Sequence, residues 1–233
     1  MKRILITGAS RGIGYELCKQ LLSQNIEVIA TYRSENKTKL LSDLKENSEN
    51  LHLFKMDVNS DESVQNAINL ISEKFDYIDT IFNNAGILDW STLNEVTTES
   101  FSEIYETNVI GAFRVSKLSL SLLQKSNEPL IVNLSSRLGS ISLRGRSQLG
   151  GAVAYQCSKA ALNMLTVQMA IDYKVYGVRV ISMSPGWVKT DMGGKDAKYE
   201  VEESVRLFLA QINQLPSSSS GLFIGEDGEN IPW

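Results

Sequence analysis

Tyr155 and Lys159 stand four residues apart in a chain of 233 residues that contains a single histidine. On a helix that spacing brings both side chains to one face. A neighbouring ammonium favours phenolate, so the pKa of the tyrosine, about 10 when unperturbed, is expected to fall toward neutrality. Such a pair is a proton donor that needs no histidine. Tyr15 and Lys19 repeat the spacing. A Tyr-x-x-x-Lys arises by chance in roughly every second chain of this composition, so the surroundings must decide between the two copies.

A second chemical element lies near the N-terminus. Thr7-Gly8-Ala9-Ser10-Arg11-Gly12-Ile13-Gly14 reads G-x-x-x-G-x-G, a departure from the common dinucleotide fingerprint G-x-G-x-x-G. The physics is unchanged: glycines let the backbone approach a pyrophosphate, and the helix that follows offers free N–H groups and the positive end of its dipole. A tight strand–helix turn without a ligand is the simpler alternative. An acidic residue after the second strand would bind the ribose hydroxyls of NAD, whereas a basic one suits the 2′-phosphate of NADP. This strand ends Thr31-Tyr32-Arg33, and Arg11 adds a second cation inside the loop. Both favour NADP(H), since phosphate recognition favours arginine forks; Glu35 nearby weighs the other way.

The elements needed to position these groups can be read from periodicity. Short apolar runs at 3–7, 27–31, 51–56, 78–83, 130–134, 178–183 and 222–224 read as strands. Helical patterns fall at 13–24, 37–46, 61–75 (capped by Asn59 or Ser60), 99–123, 153–175 and 200–214. Strands that are apolar on both faces and separated by helices predict an α/β fold with a doubly wound parallel sheet, Rossmann-like, in a single domain over residues 1–233. Unusual residues cluster just after the strands: Gly8 to Gly14, Arg33, Asp57, Asn83 to Gly86, Ser135 with Ser136, and Pro185 to Asp191. In an open α/β sheet these carboxyl ends border the ligand crevice. Tyr155 can join that convergence. Tyr15, in the first helix, needs only a packing or surface role.

Composition narrows the function classes. Net charge is −4 and the hydrophobic share is 42%, with no basic block suited to nucleic acid or a membrane surface. Cys18 and Cys157 lie far apart in expected helices, so reduced thiols and a cytoplasmic location are the expectation. His52 reads as a satisfied strand residue with no metal cluster around it. A first strand starting near residue 2 leaves no room for a signal peptide, and no apolar run is long enough to span a bilayer.

Taken in order, Thr7 to Gly14, Asn83-Asn84-Ala85-Gly86, Asn108, the serine pair after Ile131-Val132-Asn133-Leu134, Tyr155 with Lys159, and Pro185-Gly186 resemble the short-chain dehydrogenase/reductase superfamily across nearly the whole chain. The ending, from Gly221 to Trp233, resembles its C-factor/Sniffer-like carbonyl reductase branch. The resemblance implies NADP(H)-dependent reduction of a small carbonyl compound. Its catalytic set would be Asn108, Ser136, Tyr155 and Lys159, with Ser135 the alternative serine. The cofactor set it implies is Gly8, Ser10, Arg11, Gly12, Ile13 and Gly14 in the loop, with Arg33 beyond it. Asp57 and Val58 would flank the adenine; Asn84, Ala85 and Gly86 would pack on the cofactor. Pro185, Gly186, Val188 and Thr190 would meet the nicotinamide end, with Tyr155 and Lys159 beside it. Asn108 would interrupt its helix and hold a water in the proton path.

The segment 140–150 is longer than in compact relatives, carries Arg144 and Arg146, and is expected to form a loop, either beside the substrate or on the solvated surface. Trp90 and Trp187 are candidate apolar walls. The stretch from Gly193 to the last long helix is a short lid, which implies an open pocket for small or varied aldehydes and ketones. Helices over 108–123 and 153–175 resemble those that pair in family dimers, so a homodimer or homotetramer and a wholly intramolecular core both stay open. An NADP(H)-binding signalling or regulatory protein on the same scaffold is the alternative function, and a reductase of lipid or carrier-bound substrates a third.

Overall fold

In this computed structural model, which describes residues 1–147 and 150–233, helices carry the chain between parallel strands. The strands are β1 (Arg3–Ile6), β2 (Glu27–Tyr32), β3 (Leu51–Lys55), β4 (Thr80–Asn83), β5 (Leu130–Leu134), β6 (Arg179–Met183) and β7 (Leu222–Ile224). They pair in the order β3-β2-β1-β4-β5-β6-β7, every pair parallel. The chain winds outward in one direction from β1 and in the other from β4. The carboxyl ends of these two neighbours are therefore the switch point where a ligand crevice opens.

Alternation along the strands divides the core into two layers. Ile4, Ile6, Val28, Ala30, Phe82, Val132 and Ile181 pack toward α1 (Gly12–Ser23) and α9 (Val201–Gln214), which contribute Leu17, Leu21, Val205 and Phe208. Leu5, Ile29, Ile81, Ile131 and Val180 point the other way. They meet Val64, Ile68 and Ile71 of α3 (Asp61–Lys74), Val115 of α5 (Gly111–Leu118) and Met169 of α8 (Val153–Asp172). Each such side chain contributes about 1.5–3 kcal/mol when fully buried, so both sheet faces are strongly committed. Ser60 is the cap of α3, accepting from the Ser63 amide at 3.1 Å. His52 is satisfied on β3, 3.2 Å from Glu27 and 2.6 Å from Lys74.

Four expectations change. A 3-10 turn (Glu35–Lys37) precedes α2 (Lys39–Glu46), so that helix starts later than its pattern. The tract 99–123 is four pieces: α4 (Thr98–Tyr105), a π turn (Glu106–Ile110) that holds Asn108 and interrupts the helix where the resemblance implies, α5, and α6 (Leu120–Leu123), a further break that the pattern does not show. The segment 140–150, expected as a loop, contains α7 (Ile141–Ser147); Gln148, Leu149 and the Arg146 side chain lie outside the described residues. The pattern at 153–175 ends as α8 at Asp172, followed by a 3-10 turn (Tyr173–Tyr176) and Gly177 in the left-handed region. Among the described residues, no helix is long and apolar enough to cross a membrane.

Candidate active site

The ends of β1 and β4 are stitched together before any ligand is considered. The Thr7 hydroxyl accepts the Asn84 and Ala85 amides at 3.0 Å each, and Asn84 Nδ2 donates to the carbonyls of Thr7 (2.8 Å) and Gly8 (3.1 Å). Gly8 has φ +65°, and a Cβ there would come within 2.9 Å of Ala85 Cα. Backbone crowding of this kind holds the loop open as a cradle. Arg11 at the start of α1 is extended and makes no side-chain cap, and the first turn holds no acid. The leading N–H groups of α1 are thus left for an anion.

A crevice of about 870 Å³ runs from this loop across the sheet edge. Its wall takes in Gly8, Ser10, Arg11, Gly12 and Ile13, then Arg33, Asp57 and Val58, then Asn84, Ala85 and Gly86. On the far side stand Ser136, Tyr155 and Lys159, followed by Pro185, Gly186, Val188 and Thr190. Seven segments of the sequence therefore share one cavity. Asn83 turns its amide inward instead, donating to Ser116 (2.9 Å) and Asn133 (2.7 Å) between β4 and β5.

Two residues expected at the crevice stand behind it. Gly14 is buried, and a Cβ there would lie 2.5 Å from both Asn84 Nδ2 and the Gly8 carbonyl. Its smallness lets α1 pack on the sheet edge. Asn108 is 1% exposed in the π turn. Its Oδ1 accepts from the Ile87 amide (2.9 Å), while Nδ2 donates to the Ile87 carbonyl (3.0 Å) and Ser158 Oγ (2.9 Å). The carboxamide is spent on holding residue 87 and the foot of α8. A buried amide group must find such partners, and the widened turn lets it reach them.

Arg33 is exposed and forms no ion pair among the described residues. Glu35 accepts from the Tyr32 hydroxyl at 3.2 Å. Arg11 differs from the expectation of a free cation: its guanidinium pairs with Asp191 from the loop after β6. Asp57 and Val58 are held by Ser63, whose hydroxyl accepts the Asp57 amide at 2.9 Å, and by Arg114, which donates to the Val58 carbonyl at 2.5 Å.

Both serines border the crevice, and their hydroxyls differ in what they meet. Ser135 is buried, and its hydroxyl donates to Asn163 Oδ1 at 2.6 Å. Ser136 lines the cavity; its Oγ accepts the Leu138 amide at 3.1 Å, and its O–H can donate toward Tyr155. Tyr155 and Lys159 lie on the buried first turns of α8, whose start is tied to Trp90: the Ala152 amide donates to its carbonyl at 3.1 Å. Lys159 Nζ stands 5.5 Å from the Tyr155 ring centre and donates to the Leu134 carbonyl at 2.7 Å.

The electrostatics overturn the expected direction for the phenol. Burial pushes the Tyr155 hydroxyl up to about 12, with the Ser136 side chain working the other way. Burial also lowers Lys159 to about 8. Four-residue spacing puts the amine near the ring but does not keep either group in water, and desolvation disfavours the charged form of each.

Sequence reasoning had pointed to Trp90 and Trp187 as walls, and both line the cavity. The short lid folds back on itself: Trp187 Nε1 donates to the Gly193 carbonyl (2.8 Å), and the Lys189 amide to the Tyr199 carbonyl (2.9 Å). It had not singled out Asn59, Thr107, Arg137 or Leu138, which also line the crevice. For Arg137 a signal existed, a cation directly after the serine pair and an acid-rich stretch near the C-terminus.

Comparison with known proteins adds an independent finding. The short chain dehydrogenase family model matches residues 2–200. The C-signal protein of Myxococcus xanthus is 36% identical over 157 residues, covering 67% of this chain and 93% of that protein. The structure of NADPH-bound carbonyl reductase from chicken fatty liver superposes with a TM-score of 0.95 at 34% identity, covering 100% of this chain and 99% of that one. Carbonyl reductase Sniffer of D. melanogaster gives 0.94 at 33% identity with both chains wholly covered.

Proposed function

We propose that this chain, which belongs to the short chain dehydrogenase family and is an oxidoreductase, reduces small aldehydes or ketones to alcohols with NADPH, as one catalytic domain over residues 1–233. The observation that carries the reading is the meeting of Ser136, Tyr155 and Lys159 on the same cavity as the glycine loop. The NADPH-bound and Sniffer carbonyl reductases among its structural neighbours support it.

The residues fit the cofactor. The loop of Gly8, Ser10, Gly12 and Ile13, with the uncapped start of α1, would hold the pyrophosphate. Arg33, exposed just after β2 and in no ion pair among the described residues, would meet the 2′-phosphate. Arg11 stands ready for the same phosphate once it leaves Asp191. When bound, NADPH supplies the hydride. The protein's own groups handle the oxygen and the proton. Ser136 would turn its O–H from Tyr155 to the carbonyl oxygen, on which negative charge builds. Tyr155, kept protonated by burial, gives its proton to that oxygen. Lys159, charged below pH about 8, sits behind the ring and stabilises the phenolate left behind. Asn108 fixes Ile87 and Ser158 rather than touching the substrate.

The test is oxidation of NADPH and of NADH against a panel of small carbonyl compounds. Turnover with NADPH exceeding that with NADH is expected. Arg33→Ala should raise the KM for NADPH by about 10–100-fold, the worth of a charge-assisted phosphate contact, and leave that for NADH within twofold. Equal use of both cofactors would remove Arg33 from its role.

A further inference from the structure

Among the described residues, the Ser136 hydroxyl accepts the Leu138 amide two residues on and meets Tyr155 of α8 across the cavity. What holds it in place is the 3-10 turn that follows it, Arg137–Gly139. One side of that turn lies flat on α8: a Cβ on Gly139 would stand 2.7 Å from both Cβ and the carbonyl carbon of Lys159. The other side is gripped by the chain beyond β7. Arg137 Nη2 donates to both carboxylate oxygens of Asp227 at 2.9 Å, and Nη1 donates to Glu229 Oε2 at 2.8 Å. Glu226, 4% exposed, places Oε2 3.7 Å from the same guanidinium and leaves it without a hydrogen bond.

The guanidinium has a fitted seat. A Cβ on Gly225 would fall 2.5 Å from Arg137 Nη2, so only glycine leaves room for the fork. The last residues close the clamp: the Ser140 hydroxyl donates to the Pro232 carbonyl at 2.5 Å, the Ser142 amide donates to the Trp233 carbonyl at 3.0 Å, and Trp233 stacks on Phe223. Glu226 also packs behind Gly186, where a Cβ would meet its carboxyl carbon at 2.8 Å. One ion cluster thus backs both the serine turn and the loop after β6.

The geometry points to Arg137 as the positioning residue for Ser136, and to the segment 225–233 as the part of the active site that holds it. A planar fork bound to two carboxylates fixes orientation as well as distance. The turn is then pinned between tail and α8, with the serine hydroxyl on the cavity side. This rests on the reading of Ser136 as the oxygen-holding group. A fixed donor stabilises developing charge without reorganising, so loosening the clamp should lower kcat and spare cofactor binding.

The test compares Arg137→Gln, Arg137→Lys and the Asp227→Asn/Glu229→Gln double variant with wild type by two readouts. Hydrogen exchange follows the amides of Leu138, Gly139 and Ser140, which bond back to Ser136 and Arg137. Steady-state kinetics follow NADPH oxidation with a carbonyl substrate. Arg137→Gln and the double variant should exchange about tenfold faster at those three amides, with α8 amides unchanged. Their kcat should fall about tenfold and the KM for NADPH stay within twofold, with Arg137→Lys intermediate. Unchanged exchange, or faster exchange with unchanged kcat, overturns the proposal. If Arg137→Gln does not fold, the double variant carries the test alone. A wild type that turns over no carbonyl compound would sink the reductase reading separately, and the exchange arm would still decide whether Arg137 holds the turn.

Discussion

The two Tyr-x-x-x-Lys copies share a spacing, a helical setting and an N-terminal location on their helices, yet the fold treats them in opposite ways. Tyr15, on α1, is half-buried against the core, and Lys19 is 46% exposed with its ammonium 2.8 Å from Glu16. That hydrogen bond raises the Lys19 pKa. Tyr155 and Lys159 are 8% and 6% exposed, face a shared cavity, and have their neutral forms favoured by burial. The lesson is that four-residue spacing on a helix supplies adjacency, whereas the solvent around the pair decides whether adjacency can do chemistry.

The contrast can be broken most directly at the phenols. Tyr155→Phe should lower carbonyl turnover by about 10²–10⁴, the usual worth of a positioned general acid, with NADPH binding measured by fluorescence retained. Substitution at the lysines should then move stability and activity in opposite directions. The gap between 10.5 and about 8 for Lys159 corresponds to about 3 kcal/mol. The folded value is the lower one, so the unfolded chain holds the proton more tightly. The cost is full below pH about 8 and fades as pH rises from about 8 to 10.5. Lys159→Met loses the bond to Leu134, worth about 1 kcal/mol, and should still unfold at pH 7 with about 1–2 kcal/mol more stability while losing turnover. Lys19→Met breaks an exposed pair and should shift stability by a few tenths of a kcal/mol. A less stable Lys159→Met at pH 7 would mean that its charge is not a burden.

The pH profile sharpens the same point. Carbonyl reduction should be level below pH about 8 and fall by up to tenfold per pH unit above it as Lys159 loses its proton, since Tyr155 stays protonated to about 12. A decline that begins only above pH 10 would remove the lysine charge from the mechanism. The smallest effect is expected for Tyr15→Phe, with kcat and KM within twofold of wild type; a loss comparable to that of Tyr155→Phe would undo the distinction between the copies.

Much of the crevice was legible because it is built from local signals. The glycine loop, Arg33, Asp57 and Asn84 to Gly86 each sit directly after a strand, and strand ends converge in a doubly wound sheet. Gly14 and Asn108 stand behind the wall, Gly14 making room for α1 and Asn108 interrupting its helix as the resemblance implies, and residue type does not reveal which way a buried side chain turns. Arg11 read as a free cation because Asp191, its partner, lies 180 residues away. Arg137 was passed over for a similar reason: its carboxylates are about 90 residues further on.

By itself the sequence determined the parallel sheet, the order of its elements and the list of chemical groups, because hydrophobic period and turn residues act over a few positions. Tertiary structure alone decided which tyrosine is desolvated, which serine hydroxyl is spent on a buried partner and what grips the turn after Ser136. Those outcomes depend on burial and on contacts between segments far apart in the chain, and the same four-residue spacing sits in water at Lys19 and out of it at Lys159.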